Sequence, residues 1–231
     1  MDILPDVEII NLALYFKKKK VLVIADLHIG YEEMLNKQGV LIPRHQLKDI
    51  IDRLDKIFSK CKPKTIVVNG DLKHEFGTIS EQEWRDTLKV IDYLGRKGKL
   101  VLVKGNHDTI LGPISKKRNI ELVEHYKIGD ALIAHGDEIV DSDCKTIVIG
   151  HEHTAVTLKE DGRKERYKCF LKGKYKRKNL IVMPSMNTVT EGTDILSEEL
   201  LSPYLQGDLD NFSCYVVADK VYDFGKLRNL K

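Results

Sequence analysis

The chain has 231 residues, a net charge of +3 at pH 7 and a charged fraction of 32%, rich in Lys and Glu as is common in heat-adapted proteins. This length suits one large domain, expected to span 1–231, and the four cysteines form no C-x-x-C pair, which argues against a disulfide framework or a thiolate zinc site. No run reaches the roughly 18 apolar residues of a membrane helix and no basic leader opens the chain, so we expect a cytoplasmic protein without membrane contact.

Short apolar runs rich in Val and Ile predict strands that are buried on both faces of a sheet. The six predicted strands are 21–25, 65–68, 100–103, 131–134, 146–149 and 180–183. Apolar residues at three- and four-residue spacing predict an amphipathic helix over 46–60. A second helix is expected to begin after Ser80, because Glu83 three residues on completes a capping box. The first half of the chain is therefore expected to alternate strand and helix.

After about residue 120 the sequence favours strands and turns. The dipeptide Asp161-Gly162 is typical of a tight β-hairpin. We therefore expect a second sheet that packs on the first, with no boundary that would divide the chain into independent domains.

Polar residues able to bind metal follow five of the six apolar runs directly. These clusters are Asp26-Leu27-His28, Gly70-Asp71, Gly105-Asn106-His107-Asp108, His135-Gly136-Asp137 and Gly150-His151-Glu152-His153. Strand ends at one edge of an α/β sheet converge in space, so the clusters can form one site. Residues two apart in an extended chain point the same way, which pairs Asp26 with His28 and His151 with His153. The glycines before Asp71, Asn106 and His151 would allow a sharp turn or a close approach of the backbone.

Each cluster taken alone has an ordinary explanation. A single His after a strand is more often hydrogen-bonded or on the surface than bound to metal, and an Asp after a Gly is usually part of a turn. Five separate strand ends that all carry carboxylate, amide or imidazole favour a metal site.

The ordered motifs D-x-H, G-D, G-N-H-D, H-G and G-H-x-H, from Asp26 to His153, resemble those of the calcineurin-like metallophosphoesterase superfamily. The G-D-x-x-H of Asp71 and His74 is similar to that of SbcD-type DNA-repair nucleases. Over its whole length, including "CFLKG" and "GTDILSEELLSPYL", the chain resembles compact archaeal SbcD-related phosphoesterases and DNA-ligase-associated metallophosphoesterases. One departure is Glu152, which stands where Thr is frequent. The resemblance implies an α/β fold, a four-layer αββα sandwich of two mixed sheets flanked by helices.

The same resemblance implies a centre of two divalent metal ions. The first ion would be held by Asp26, His28, Asp71 and His153, and the second by Asp71, Asn106, His135 and His151. Two ions with Asp26, Asp71 and one bridging hydroxide would keep a charge of about +1, which attracts a phosphate anion. Manganese is favoured by analogy, while Fe, Zn or Ni also suit a ligand set of imidazole, carboxylate and amide.

The same comparison assigns a role to the ligand Asn106 and to three further residues, His107, Asp108 and His74. Asn106 would supply a neutral amide oxygen, so that the site keeps its positive charge. His107 would stabilise the phosphoryl oxygens or protonate the leaving oxygen, and Asp108 would fix the orientation of His107. His74 would offer a further hydrogen bond to a diester phosphate.

The expected activity is phosphodiester hydrolysis on nucleic acid or nucleotides, in the manner of a nuclease. The alternatives are a phosphomonoesterase or cyclic-nucleotide hydrolase, and a non-catalytic scaffold of the same fold; loss of ligands would favour the scaffold, but every one is present. Any protein partner is left unspecified.

A basic segment at about 159–179 carries ten Lys or Arg and three acidic residues, a local charge of +7 that leaves −4 for the remainder. Lys172, Lys174 and Arg177, interleaved with aromatic residues, are candidate contacts for a nucleic-acid substrate. A Lys-rich, solvated hairpin would have the same sequence pattern, so this interpretation stays open.

Overall fold

Two mixed β-sheets form the middle of the computed structural model, which describes residues 1–75, 80–108, 111–160 and 162–230. In the first sheet the strands lie in chain order. They are β1 (Asp2–Leu4), β2 (Val7–Ile10), β3 (Ala13–Phe16), β4 (Val21–Ala25), β5 (Thr65–Asn69), β6 (Lys99–Val103) and β7 (Glu121–Val123). The first four are antiparallel neighbours, whereas β4 to β7 are parallel.

The strands of the second sheet are β8 (His125–Ile128), β9 (Ala131–Ala134), β10 (Thr146–Ile149), β11 (Thr154–Glu160), β12 (Arg163–Tyr175), β13 (Lys178–Val182), β14 (Thr193–Asp194), β15 (Ser213–Val217) and β16 (Val221–Lys226). They lie in the order β14-β11-β12-β13-β10-β9-β8, and β15 pairs with both β12 and β16. Strands β9, β10 and β13 are parallel, and β11 and β12 form the expected hairpin, since Glu160 pairs with Arg163 across the turn. Asp161 itself lies outside the described residues.

Helices cover the outer face of the first sheet. The helices are α1 (Tyr31–Lys37), α2 (Gln46–Phe58), α3 (Glu81–Lys97), α4 (Leu111–Arg118) and a 3-10 turn at Leu227–Asn229. The apolar stripe of α2, which includes Ile50 and Leu54, is fully buried in the main core. Within the described part of the chain no helix is long and apolar enough to cross a membrane.

Alternation along the central strands of the second sheet divides its side chains between two cores. Val148, Phe170 and Ile181 face the first sheet and join the main core, whereas their neighbours such as Ile149 and Val182 face outward into a second core. That outer core is closed by irregular chain in the range 195–212 and by the 3-10 turn. The observed architecture confirms the predicted α/β class with two mixed sheets and helices.

Candidate metal centre

All seven predicted ligands lie where parallel strands end. In the first sheet Asp26 and His28 follow β4, Asp71 follows β5 and Asn106 follows β6. In the second sheet His135 follows β9, while His151 and His153 follow β10. The two sheets present these ends to each other, so residues far apart in sequence meet at one edge of the sandwich.

The first group of side chains is Asp26, His28, Asp71 and His153, whose candidate ligand atoms all lie within 4.8 Å of one another. The Nε2 atoms of His28 and His153 are 2.9 Å apart, and His28 Nε2 lies 3.5 Å from Asp71 Oδ2. This set is the one that the resemblance assigns to the first ion.

The second group is Asp71, His135 and His151, which satisfies the same distance limit. His135 Nε2 lies 3.4 Å from Asp71 Oδ2 and 3.1 Å from His151 Nδ1. Asn106 Oδ1 completes the group at 2.9 Å from His135 Nε2. Asp71 therefore belongs to both groups, as the bridging position requires. The described residues thus contain clustered His and Asp groups that could bind two metal ions.

Buried polar atoms in the centre lack partners within the protein. Asp26 Oδ1 and His135 Nδ1 are both buried without a hydrogen bond, although they lie only 3.4 Å apart. Burial raises the pKa of the Asp26 carboxyl to about 8, against the lowering effect of His135, and the charge of Asp71 adds to the rise. Cations would remove this repulsion between two buried carboxylates, so the residues present fit a pair of divalent ions.

Most of the clustered histidines are kept neutral. Burial lowers the pKa of His153 to about 3, and it also lowers the pKa values of His28 and His151. His135 differs: burial lowers its pKa, but the hydrogen bond to Asp71 and the charge of Asp26 outweigh this and raise it to about 9. Neutral imidazole is the form that coordinates metal, so the site is largely prepared for ligation.

Backbone strain is concentrated at the ligands. Five of them have positive φ angles in the left-handed region that L-residues rarely adopt: Asp26 (52°), His28 (46°), Asp71 (35°), His151 (63°) and His153 (53°). Such conformations cost about 1–3 kcal/mol each and persist where the surrounding structure fixes them. Their clustering here marks a functional site, and no sequence pattern announces it.

Two glycines allow the strand ends to approach one another, as their positions predicted. A Cβ atom on Gly70, whose φ is +75°, would lie 1.9 Å from His135 Nδ1. A Cβ atom on Gly150 would lie 2.5 Å from Asp26 Oδ2. Any side chain at either position would displace a candidate ligand.

His74 and His107 lie beside the first group of ligands. His74 Nδ1 is 3.3 Å from His28 Nδ1, so a proton on His28 Nδ1 can be donated to His74 while His28 Nε2 faces the other ligands. His107 directs its ring Nδ1 to the carbonyl of His74, and its amide donates to Asp71 Oδ1 at 3.0 Å. Burial lowers the pKa of His74 to about 4. Tyr31 packs edge-on against the His74 ring, with centroids 4.4 Å apart.

Asp108 joins two loops of the centre. Its role in orienting the His107 ring stays a prediction, and the Nδ1 atom of that ring faces the His74 carbonyl. The Asp108 carboxylate accepts hydrogen bonds from the backbone amides of Gly105, Leu72 and Lys73, at 3.1 to 3.4 Å. It is buried, which raises its pKa to about 7, and it joins the loops that follow β5 and β6.

A buried network supports the loop that follows β4, and sequence analysis missed it. The Gln46 amide at the start of α2 donates to the carbonyl of His28 at 2.8 Å and to Asn187 Oδ1 at 3.3 Å. The Gln46 backbone amide donates in turn to Glu32 Oε2. A polar residue at the first position of an amphipathic helix looks like an ordinary helix start, so only its burial reveals the role.

Two lysines also escaped the sequence analysis. Lys73 is fully buried beneath the loops of His74 and His107. Lys168, on β12, donates to Ser185 Oγ, Ser185 O and Asn187 O at 2.5 to 2.9 Å. Burial lowers the pKa of Lys168 to about 7. The basic character of the chain had drawn attention to its exposed lysines instead.

Of the predicted substrate contacts, Lys174 and Arg177 lie at or near the turn between β12 and β13, whereas Lys172 lies further along β12, opposite Ile181. Tyr175 pairs with Lys178 at the start of β13, and about 3.3 Å per residue along that strand places this turn ~13 Å from the end that faces the ligands. Lys172 donates to the carbonyl of Ile3, and Lys174 donates to Asn179. Contact of these three residues with a nucleic acid therefore stays a prediction, and β12 carries Lys174 and Arg177 away from the ligand edge.

Glu152 is a structural residue. It is buried, and one carboxylate oxygen accepts hydrogen bonds of 2.8 Å from the amides of Leu201 and Ser202. The side chain thereby attaches the loop that covers the outer core to the ligand loop of His151 and His153. The departure from Thr at this position is explained by that local contact.

Comparison with known proteins agrees with this geometry. Residues 19–141 match the family model described as calcineurin-like phosphoesterase. The nuclease MPE of Pseudomonas putida is similar in structure, with 20% identity over 92% of this chain and 91% of that chain and a TM-score of 0.65. At this identity the likeness shows a shared fold.

Two further structures are less similar. Zinc-bound Vps29 of Entamoeba histolytica has 18% identity, covers 89% of this chain and 99% of its own, and has a TM-score of 0.39. The phosphoesterase Yfce of E. coli has 10% identity, coverage of 90% and 97%, and a TM-score of 0.41. No curated protein sequence matches significantly. The family match spans more than half of the chain and contains the first five ligands, so the protein belongs to the calcineurin-like phosphoesterase family and is a metal-dependent phosphoric ester hydrolase.

Proposed function

We propose that this protein hydrolyses phosphodiesters of nucleotides or nucleic acid with two divalent metal ions, manganese being the favoured metal. The observation that carries the proposal is that Asp71 belongs to two ligand groups at once, beside the rings of His74 and His107. Asp26, His28, Asp71 and His153 would hold one ion, and Asp71, Asn106, His135 and His151 the other. When bound, the ions would supply positive charge for a phosphoryl group and would acidify a water molecule.

Two histidines of the protein, His74 and His107, can donate hydrogen bonds or protons to the substrate. If His28 Nε2 faces the metal position, its proton lies on Nδ1 and is donated to His74 Nδ1, which leaves the His74 proton on Nε2. On His107, Nδ1 donates its proton to the His74 carbonyl, so Nε2 carries a proton only when the ring is doubly protonated; in that imidazolium form Nε2 can give its proton to a leaving oxygen. Both histidines would therefore act as donors toward the substrate.

A diester substrate is favoured by the resemblance of the Asp71 and His74 motif to that of SbcD-type nucleases. One donor is sufficient for the leaving oxygen, and His74 offers another hydrogen bond to a phosphoryl oxygen. Similarity to a bacterial nuclease over nearly the whole of both chains supports the same class, although that activity is known only for the relative. We also propose that, within the family, this chain groups with the SbcD-related and DNA-ligase-associated phosphoesterases.

The hairpin formed by β11 and β12 is the proposed contact for a polynucleotide. Strand β11 begins at Thr154, directly after the ligand His153, so the hairpin extends from the metal edge. Lys159 and Lys164 are exposed and directly opposite each other, and like charges in that position repel. Phosphates of a single strand would relieve this repulsion.

Hydrolysis of bis-nitrophenyl phosphate, compared with the nitrophenyl monoester in the presence of Mn²⁺, tests the proposal. We expect diester turnover by the wild type and none by His135→Ala. Turnover of the monoester alone would instead indicate a phosphomonoesterase. If neither is hydrolysed although two metal ions are bound per chain, labelled DNA and RNA decide between a narrow substrate and a scaffold.

A further inference from the structure

Lys73 is an unusual residue, because its side chain is fully buried next to the candidate centre. Lysine is almost never fully buried unless its charge is compensated. The ammonium group donates to the carbonyl of His107 at 2.5 Å and to the carbonyl of Glu75. An ammonium ion in this place costs free energy of desolvation that an apolar side chain would not. Its two carbonyl partners therefore indicate what the lysine does.

The segment of Lys73 is itself held firmly. The amides of His74 and Glu75 both donate to Glu83 Oε1 at 2.9 Å, and Glu83 is buried at the first turn of α3. Ser80 caps the same helix by accepting the amide of Glu83. The capping box is thus only half formed, since the Glu83 carboxylate holds this loop instead of returning to Ser80.

Three contacts of His107 bear on its position, and two of them are made with that segment. Its ring Nδ1 faces the carbonyl of His74, and its own carbonyl accepts from the Lys73 ammonium. The third contact is made by its amide, which donates to Asp71 Oδ1. Without the Lys73 bond, His107 would lose the contact of its backbone carbonyl with this segment and would keep only that of its ring Nδ1.

We propose that Lys73 is a positioning residue for His107: by joining the His107 and Glu75 carbonyls, its ammonium group sets the ring so that Nε2 faces the substrate. The kinetic consequence of this inference rests on the proposed function, whereas the position of the His107 ring does not. Misplacement of a catalytic group by about 1 Å costs on the order of 100-fold in rate. Loss of Lys73 should therefore lower kcat while KM and the metal content change little.

A double-mutant cycle in Lys73→Met and His107→Ala tests the inference. The substrate is a dinucleotide, whose leaving alkoxide needs a proton. We expect Lys73→Met to lower kcat about 10- to 100-fold and His107→Ala to lower it about 100-fold or more. The kcat of the double variant should equal that of His107→Ala within about twofold. If Lys73→Met lowers kcat by the same factor with and without His107, the inference is overturned, because a lysine with a purely structural role would lower kcat in both cases.

Lys168→Met is the matched control. Lys168 is also a lysine beside the centre, but its three contacts go to Ser185 and Asn187. Its effect should multiply with that of His107→Ala. Should Lys73→Met fail to fold, Lys73→Gln, whose amide can still donate to one carbonyl, replaces it in the same cycle with a smaller loss and the same non-additivity.

A second readout requires no turnover. In metal-free protein labelled with 15N-histidine, the His107 Nδ1–H resonance, assigned by its absence in His107→Ala, should exchange slowly in the wild type and in Lys168→Met. It should be lost to solvent exchange in Lys73→Met. An unchanged resonance in Lys73→Met would overturn the positioning role, whether or not the wild type is active. If the wild type is inactive but the resonance is lost in Lys73→Met, the positioning role is upheld and only the proposed function is refuted.

Discussion

The two edges of the sandwich differ in how their polar groups are satisfied. At the ligand edge Asp26 Oδ1 and His135 Nδ1 are buried without partners, and five residues have strained backbone angles. At the opposite edge Lys174 is bound to Asn179 Oδ1. The ligand edge retains buried polar atoms without partners, which bound ions can satisfy, whereas this lysine at the other edge is already paired. This contrast is a better guide to the functional edge than the density of positive charge along the sequence, which is greatest around the turn between β12 and β13.

The sharpest way to break this comparison is to remove the shared ligand. Asp71→Asn should lose both metal ions and lower turnover about 1,000-fold or more, because two ions supply several kcal/mol of transition-state stabilisation. Metal analysis by mass spectrometry and diester hydrolysis measure the two effects. Asp137→Asn, an exposed carboxylate two residues from His135, serves as the control and should retain both metals. Full metal content in Asp71→Asn would contradict the bridging position.

Replacement of His107, which lies beside the ligands, should separate metal binding from catalysis. His107→Ala should keep its metal and lose about 100- to 10,000-fold in kcat, the usual contribution of a positioned acid. The control is His125→Ala, an exposed histidine on β8, which should behave as the wild type. A fully active His107→Ala would refute the assignment of His107 as proton donor.

The two basic turns offer a direct comparison of the edges. Lys159→Ala with Lys164→Ala should weaken single-strand binding about 10-fold at low salt and reduce the slope of log K against log salt by about 1.4, since each phosphate contact contributes roughly 0.7. Hydrolysis of the nitrophenyl diester should not change. The pair Lys174→Ala with Arg177→Ala removes the same charge at the opposite edge and should leave the slope unaltered. Equal effects of both pairs would indicate unspecific attraction by net charge.

The smallest expected effect is a pH-dependent change in stability. The raised pKa of Asp26 means that the metal-free native state binds this proton more tightly than the unfolded state, so its contribution is lost as pH rises from about 4 through about 8. Asp26→Asn does not titrate, and without metal it should gain about 1 to 3 kcal/mol over the wild type between pH 5 and 9. Urea unfolding in chelator measures this difference, and saturating Mn²⁺ should reverse its sign. A pH-independent difference would show that Asp26 is already ionised in the metal-free protein.

Much of the framework could be predicted from the sequence because it depends on local periodicity. Five of the six apolar runs lie wholly in strands, the sixth, 180–183, extends one residue beyond β13, and the helix expected at 46–60 is observed at Gln46–Phe58. The short antiparallel strands β1 to β3 were missed, since three or four residues give too little pattern to distinguish them from loops. The motifs that follow the strands placed the candidate ligands at one edge, which parallel topology brings together.

Register decided what local pattern could not. Lys164 and Lys174 both belong to the basic segment, but one continuous strand of thirteen residues carries them to opposite edges. Charge along a sequence does not specify where strand pairing places it. The bonds of the Asp108 carboxylate to the amides of Leu72 and Lys73 were not predicted for a related reason, because hydrogen-bond partners are selected by the fold and not by sequence neighbourhood.

The sequence by itself determined the strands, the convergence of the polar clusters and the kinds of ligand they offer, because these follow from side-chain periodicity and from the chemistry of carboxylate, amide and imidazole. Only the tertiary structure decided which nitrogen of each histidine faces inward, which backbones are strained and why Lys73 is buried. Those properties arise from contacts between the segment after β5 and the loop after β6, and between the two sheets, at distances that no local pattern encodes.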